Sequence, residues 1–269
     1  AVGGAVKNRK EGDRVDVDPN VLCEACPYCL SAKGHFCEHM TGIGTMVNGG
    51  FAEYVAVPAK QTHLVSDGCS LMKAAMTEPL ACCLHGIDMC DIRPGDRVCV
   101  IGAGMIGLIM LQLAKLSGAA FVAVSEPVAA KRQEAEKLGA DLCLDPSSMP
   151  EDDFLSLCGK YDFNCVIECA GLTRTIEQAV RIAGKKATVM MFGLTKPDDA
   201  ISLKPYDVFS KELTLRSSYI NPYTQEEVPF KAGDEAPFVV VGVPISYKPF
   251  NYYKYETYDD ALLAGDPMA

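Results

Sequence analysis

The run Gly102-Ala103-Gly104-Met105-Ile106-Gly107 lies between an apolar stretch, Arg97–Ile101, and a helical pattern, Met105–Ser117. A strand that turns this sharply into a helix needs glycines at set places. Gly102 permits the tight turn, Gly104 lets a ligand approach the backbone, and Gly107 allows the helix to pack closely on the strand. The N–H groups that open the helix, at Met105 and Ile106, have no partner within it and suit a diphosphate. Glu126 closes the next apolar run, Phe121–Ser125, 24 positions after Gly102. A carboxylate there accepts hydrogen bonds from ribose hydroxyls and repels a 2′-phosphate, so the pattern predicts NAD rather than NADP. Lys131 and Arg132 follow one turn later, which keeps some tolerance of a phosphate open.

The surrounding sequence repeats one rhythm. Strands are predicted over Asp141–Leu144, Asn164–Glu168 and Ala187–Phe192, and helices over Val128–Leu138, Glu151–Cys158 and Thr173–Ala183. Short apolar strands alternating with helices predict a doubly wound α/β parallel sheet of the Rossmann type. Continuous apolar runs such as Val98-Cys99-Val100-Ile101 suit strands buried on both faces. Upstream, a strand is expected over Gly50–Pro58 and a helix over Lys73–Asp91.

Cys23, Cys26, Cys29 and Cys37 form a second constellation, C-x2-C-x2-C-x7-C. Residues 23–45 lack helical or strand periodicity, so the loop needs a staple. Four thiolates can enclose one zinc tetrahedrally with no open position, the pattern of a structural site. An iron–sulfur cluster uses the same donors. A nucleic-acid-binding zinc ribbon is the other reading, and the charge balance opposes it: 25 basic against 35 acidic residues, net −10, with no basic cluster beside the loop. The remaining nine of 13 cysteines are scattered through apolar runs, as packed thiols in a reducing cytoplasm would be. No run has the roughly 18 uninterrupted apolar residues of a membrane span.

These elements, in this order, resemble the zinc-dependent medium-chain dehydrogenase/reductase family, in its sorbitol, L-threonine and polyol dehydrogenase branch. The resemblance rests on Gly12-Asp13-Arg14-Val15, Asp18-Pro19-Asn20, the cysteine loop, Gly49-Gly50-Phe51-Ala52-Glu53-Tyr54, Glu78-Pro79-Leu80-Ala81, Arg93-Pro94-Gly95-Asp96-Arg97-Val98, the glycine turn, Leu138-Gly139-Ala140-Asp141 and Ile220-Asn221-Pro222. It implies an incomplete GroES-like β-barrel domain with a structural zinc loop over 1–80, a Rossmann NAD-binding domain over 81–222, and a C-terminal segment over 223–269 that partly returns to the first domain. It assigns structural zinc to Cys23, Cys26, Cys29 and Cys37, and places Glu78 at a catalytic zinc. Gly102, Gly104, Met105, Ile106 and Gly107 would hold the pyrophosphate, Glu126 and Lys131 the adenosine ribose, and Gly193 would face the nicotinamide.

Two departures qualify what is expected. The family's zinc-binding cysteine and Gly-His-Glu motif lie upstream of the position matching Ala1, which is not a Met. The chain is therefore expected to be incomplete, to hold one zinc, and to lack turnover by itself. Residues Gln225–Glu256, rich in proline and tyrosine, read unlike the family, as a shifted reading frame or an unusual substitution would, whereas Tyr258–Pro267 reads like its terminal helix and turn. His63 and His85 are not at ligand positions and are expected to be packed or at the surface. The expected function is hydride transfer between a secondary alcohol or polyol and NAD. A metal-independent quinone or enoyl reductase, and a non-catalytic NAD-binding protein, are the alternatives. The expected partners are a small-molecule substrate and further copies in a homodimer or homotetramer, with no nucleic acid and no membrane.

Overall fold

A computed structural model describes residues 1–220. The first part is loop-rich. Strands β1 (Val15–Val17) and β4 (Thr62–Leu64) pair antiparallel, as do β2 (Asn20–Val21) and β3 (Thr41–Gly42). The buried Gln61 amide ties the segment together, donating to the carbonyls of Asp18 at 3.3 Å and Asn20 at 2.9 Å. Short helix α1 (Pro27–Leu30) lies in the cysteine loop. Helices α2 (Leu71–Ala74) and α3 (Thr77–Cys90) lead into the second part.

That second part is one six-stranded parallel sheet. Its elements are β5 (Arg97–Ile101), α4 (Met105–Leu116), β6 (Phe121–Ser125), α5 (Ala129–Lys137), β7 (Leu142–Leu144), α6 (Glu151–Gly159), β8 (Phe163–Glu168), α7 (Thr173–Ile182), β9 (Ala183–Met191), α8 (Pro205–Lys211) and β10 (Thr214–Ser217). The strand order is β10-β9-β8-β5-β6-β7. From β5 the chain steps outward to β6 and β7, then crosses back to β8 and proceeds the other way. The crevice above the carboxyl ends of β5 and β8 is therefore the topological switch point, where doubly wound sheets bind ligands. This is the doubly wound sheet expected from the sequence.

Side chains alternate across β5. Val98 and Val100 join a core with Leu80, Cys83, Ile87, Met110 and Leu111 from α3 and α4. Cys99 and Ile101 join the opposite core with Phe154, Cys158, Ala179 and Val180 from α6 and α7. Helix α7 buries Ile176, Ala179 and Val180, the three- and four-residue spacing of one helix face. All 13 cysteines are free thiols, and several of those outside the loop are buried among these apolar side chains.

Three expectations need correction. The stretch Gly50–Pro58 is not a strand; Phe51 and Tyr54 stand fully exposed, and the segment pairs with no strand among the described residues. Alternation marks a chain ready to cover a surface, but a strand exists only with a partner. The single helix expected over Lys73–Asp91 is two, broken at Ala75 and Met76. Pro79 lies in the first turn of α3, where its missing N–H costs nothing, and it cannot donate to a carbonyl four residues earlier. Strand β9 begins four residues before the expected Ala187, and its register against β8 slips between Phe163↔Ala183 and Cys165↔Thr188. The exposed Lys185 and Lys186 hide that strand start from an apolar template. Neither α8 nor β10 is among the expected elements. The readings of 225–256 and 258–267 lie outside the described residues.

Phe154 is fully buried between α6 and the sheet. Phe154→Ala should lower unfolding stability by about 3–5 kcal/mol, because the cavity collapses only in part. Urea unfolding of both proteins checks this.

Candidate functional site

At the switch point Gly102 has φ +96° and donates its N–H to Ser125 O at 2.8 Å. A Cβ built on Gly107 would meet Gly102 O at 1.9 Å, so no larger residue fits while the turn keeps this shape. Around Gly104, by contrast, a built Cβ meets nothing within 4 Å. The backbone is thus open there, and Gly104 is the N-cap residue of α4 with no side chain to cap the helix. Met105 and Ile106 begin that helix.

Glu126, only 5% exposed, joins this turn to the neighbouring strand. Its Oε2 accepts the Ala103 N–H at 2.8 Å and its Oε1 accepts the Val128 N–H at 2.9 Å. Its own N–H donates to Leu144 O at 3.0 Å on β7. The structure thus joins Gly102 to Gly107 by close packing and Glu126 to the turn through Ala103 N, with Gly104 standing open between them. Lys131 lies on α5 and is half-buried. Gly193 follows β9 and donates its N–H to Glu168 O at 2.9 Å, beside β8 rather than β6.

Glu168 itself is a residue that sequence reasoning passed over. It ends β8 and is fully buried. Its Oε1 accepts the N–H groups of Ala170 at 2.8 Å and Gly171 at 2.9 Å and the Thr175 hydroxyl at 2.7 Å. Its Oε2 is buried without a hydrogen-bond partner and would lie 2.8 Å from a Cβ built on Gly193. Burial raises its pKa above the ordinary carboxylate range, against the lowering effect of those donors. The available signal was an acid closing an otherwise apolar strand, the same signal that singled out Glu126.

The four loop cysteines converge. Their sulfurs all lie within 4.8 Å of one another, and Cys23 Sγ and Cys29 Sγ are 4.0 Å apart. A tetrahedral zinc with Zn–S bonds of about 2.3 Å separates its sulfurs by about 3.8 Å, so the cluster fits a structural zinc. Backbone N–H groups support the sulfurs: Cys26 N donates to Cys23 Sγ and Cys23 N to Cys37 Sγ, each at 3.3 Å. Such donors hold Cys26 down to about 6 and also lower Cys37, whereas burial and neighbouring thiols push Cys29 up to about 12. Four sulfurs this close favour full ionisation only around a cation.

Glu78 lies in the first turn of α3, half-buried, and accepts the Cys82 thiol on Oε1 at 3.4 Å. Burial, then the Glu78 charge, pushes that thiol up to about 12, so it remains a donor. Among the described residues no three ligating side chains gather at Glu78; the loop cysteines form the one such group found. The described residues do not by themselves make a catalytic metal site. His63 lies on β4 opposite Asp16, and His85 packs edge-on against His35 with ring centroids 5.8 Å apart; both are half-buried.

Metal analysis of the purified chain should find one zinc, reduced by Cys26→Ser, with affinity falling as pH falls because protons compete for the thiolates. Iron in its place would identify a cluster of a different kind. Because the neutral form of Glu168 is favoured by burial, its contribution to stability is present below the ordinary carboxylate range and is lost as pH rises through the raised pKa. Glu168→Gln should flatten that dependence in urea unfolding followed upward in pH from the ordinary carboxylate range. Glu168→Ala should cost about 1–3 kcal/mol by orphaning two N–H groups.

Two family models match the chain: an alcohol dehydrogenase GroES-like domain over residues 1–67 and a zinc-binding dehydrogenase over residues 106–230. The sorbitol dehydrogenase of Halalkalibacterium halodurans is 33% identical over 81% of this chain and 64% of its own length. The chain thus spans less than two thirds of that relative. Among solved structures, a zinc-binding dehydrogenase from Sinorhizobium meliloti 1021 bound to NADP superposes with a TM-score of 0.78 at 37% identity, covering 84% of this chain and 67% of that one. An Escherichia coli CFT073 protein described as a short chain alcohol dehydrogenase, complexed with NADH, gives 0.77 at 27% identity over 84% and 66%. With the glycine turn, the sheet order and the cysteine cluster, these matches show that the chain belongs to the zinc-dependent medium-chain dehydrogenase family, in its polyol dehydrogenase branch.

Proposed function

We propose that the chain is the NAD-binding portion, with the structural zinc loop, of an enzyme that moves a hydride between a secondary alcohol or polyol and NAD. The observation that carries the reading is the hydrogen bond from Ala103 N to Glu126 Oε2 at 2.8 Å. It sets a carboxylate beside an open turn at the switch point, the arrangement that a diphosphate and its ribose require. Gly104, Met105 and Ile106 would receive the diphosphate on backbone N–H groups, where the positive end of the α4 dipole favours an anion. Glu126 would accept the ribose hydroxyls with the lone pairs that its two backbone donors leave unused. Lys131 would stand beside the same sugar, and Gly193 beside the nicotinamide. The bound nicotinamide supplies the hydride chemistry, and the protein supplies placement and electrostatics.

Cys23, Cys26, Cys29 and Cys37 would hold the structural zinc and so order a loop with little core of its own. Glu78 is proposed at the reaction centre on the match to the E-P-L motif; no step is derived through a metal there. The cysteine cluster argues against a metal-independent reductase. The division into 1–80, 81–222 and 223–269 belongs to the same proposal, with α3 crossing its first boundary. So do a cytoplasmic location and a homodimer or homotetramer. No described helix is long and apolar enough to cross a membrane.

Isothermal titration of the 269-residue chain with NADH checks the reading. Saturable uptake is expected, weakened about tenfold or more in Glu126→Ala, the loss of at least one charge-assisted hydrogen bond. A folded, zinc-loaded chain that takes up neither NADH nor NAD would overturn it.

A further inference from the structure

Arg132, at the end of the first turn of α5, is with Lys131 one of the two side chains that sequence alone leaves open as a partner for a 2′-phosphate. The structure shows it committed elsewhere. Its Nη1 donates to the carbonyls of Glu126 at 2.6 Å and Pro127 at 2.7 Å. Its Nη2 faces Asp145 Oδ2 at 3.0 Å, with side chains only 20% and 25% exposed. Asp145 directly follows β7, and β7 pairs with β6 in register, Ser125 opposite Leu144. The guanidinium is therefore held between the main chain of the Glu126 loop and a carboxylate on the adjacent strand end.

Asp145 is fixed in turn. Its Oδ1 accepts the Ser147 N–H at 2.9 Å and the Ser147 hydroxyl at 2.5 Å. These bonds hold its carboxyl below the ordinary range, with a smaller effect from Arg132. The anion is thus prepared by its own turn. A phosphate arriving beside Glu126 would meet a cation already neutralised by Asp145 and turned onto two carbonyls.

We propose that Asp145 is a specificity-determining residue: by retaining Arg132 it denies a counter-charge to a 2′-phosphate and keeps the site selective for a free 2′-hydroxyl. Asp145 acts through Arg132 and touches no coenzyme, so it is a positioning residue. The inference rests on the reading of the 102–107 turn as a dinucleotide site. It adds to the repulsion by Glu126 a second device on a different strand.

The test is a cycle of NADPH and NADH titrations on the full chain, its Asp145→Asn and Arg132→Ala variants, and the double variant, with thermal melts to confirm folding. The parent should favour NADH. Asp145→Asn should tighten NADPH about tenfold or more, the least that one charge-assisted hydrogen bond gains, and leave NADH within about twofold. The double variant should lose the gain, since without Arg132 no released cation exists. Should Asp145→Asn fail to fold, Asp145→Ser, which keeps a turn-forming side chain, is read in the same way. An unchanged NADPH-to-NADH ratio in the folded variant overturns the inference, as does a gain that survives removal of Arg132. If the parent binds neither coenzyme, the dinucleotide reading fails and the inference falls with it; if it binds NADH and the ratio does not move, only the inference fails.

Discussion

A single buried carboxylate couples the two strand ends on which the site is built. Glu126 directly follows β6 and is tied to the glycine turn through Ala103 N–H on one oxygen, while its other oxygen accepts Val128 N–H at the entry to α5. Hydrogen bonds to a charged group are worth about 1.5–3 kcal/mol each, and an orphaned donor in a buried turn costs a similar amount. The turn cannot drift without breaking that bond, and its close approach to α4 leaves room at 107 for glycine alone. The open approach at Gly104 is therefore held in place by two crowded neighbours.

Glu168 performs a comparable task on β8. It gathers Ala170, Gly171 and Thr175 onto one oxygen while its main-chain carbonyl accepts from Phe192 and Gly193. The two acids end strands on either side of β5, and each organises the loop that follows it. They differ in the second oxygen. In Glu126 it is bonded, and in Glu168 it is buried without a partner. A lone buried oxygen is costly unless the proton stays on, and that is the direction in which burial moves this group.

The cysteine loop follows a different logic. Residues 23–45 bury little beyond Cys26, Cys37 and Gly42, and their regular elements are short. Packing alone does not hold such a segment, and four converging sulfurs do so only with a metal among them. Glu78 has no such company among the described residues. Its measurable neighbour is the Cys82 thiol one turn along the helix, a pairing that follows from the four-residue helical repeat.

Local chemistry settled much of this protein in advance. The spacing of Gly102, Gly104 and Gly107, the acid at 126, the four cysteines and the apolar runs from 97 to 192 each encode their outcome within a few residues, because turns, helix starts and buried strands are short-range decisions. Where the outcome depended on a partner distant in sequence, the chain alone was silent. Residues 50–58 alternate like a strand yet pair with none described, and β10 becomes a strand only through β9. Arg132 reads as an available cation until β7 carries Asp145 to within 3.0 Å of it. Sequence determines which groups a residue can bond, whereas the fold decides which of those groups arrives first, since a charge is neutralised by whatever the neighbouring strand delivers.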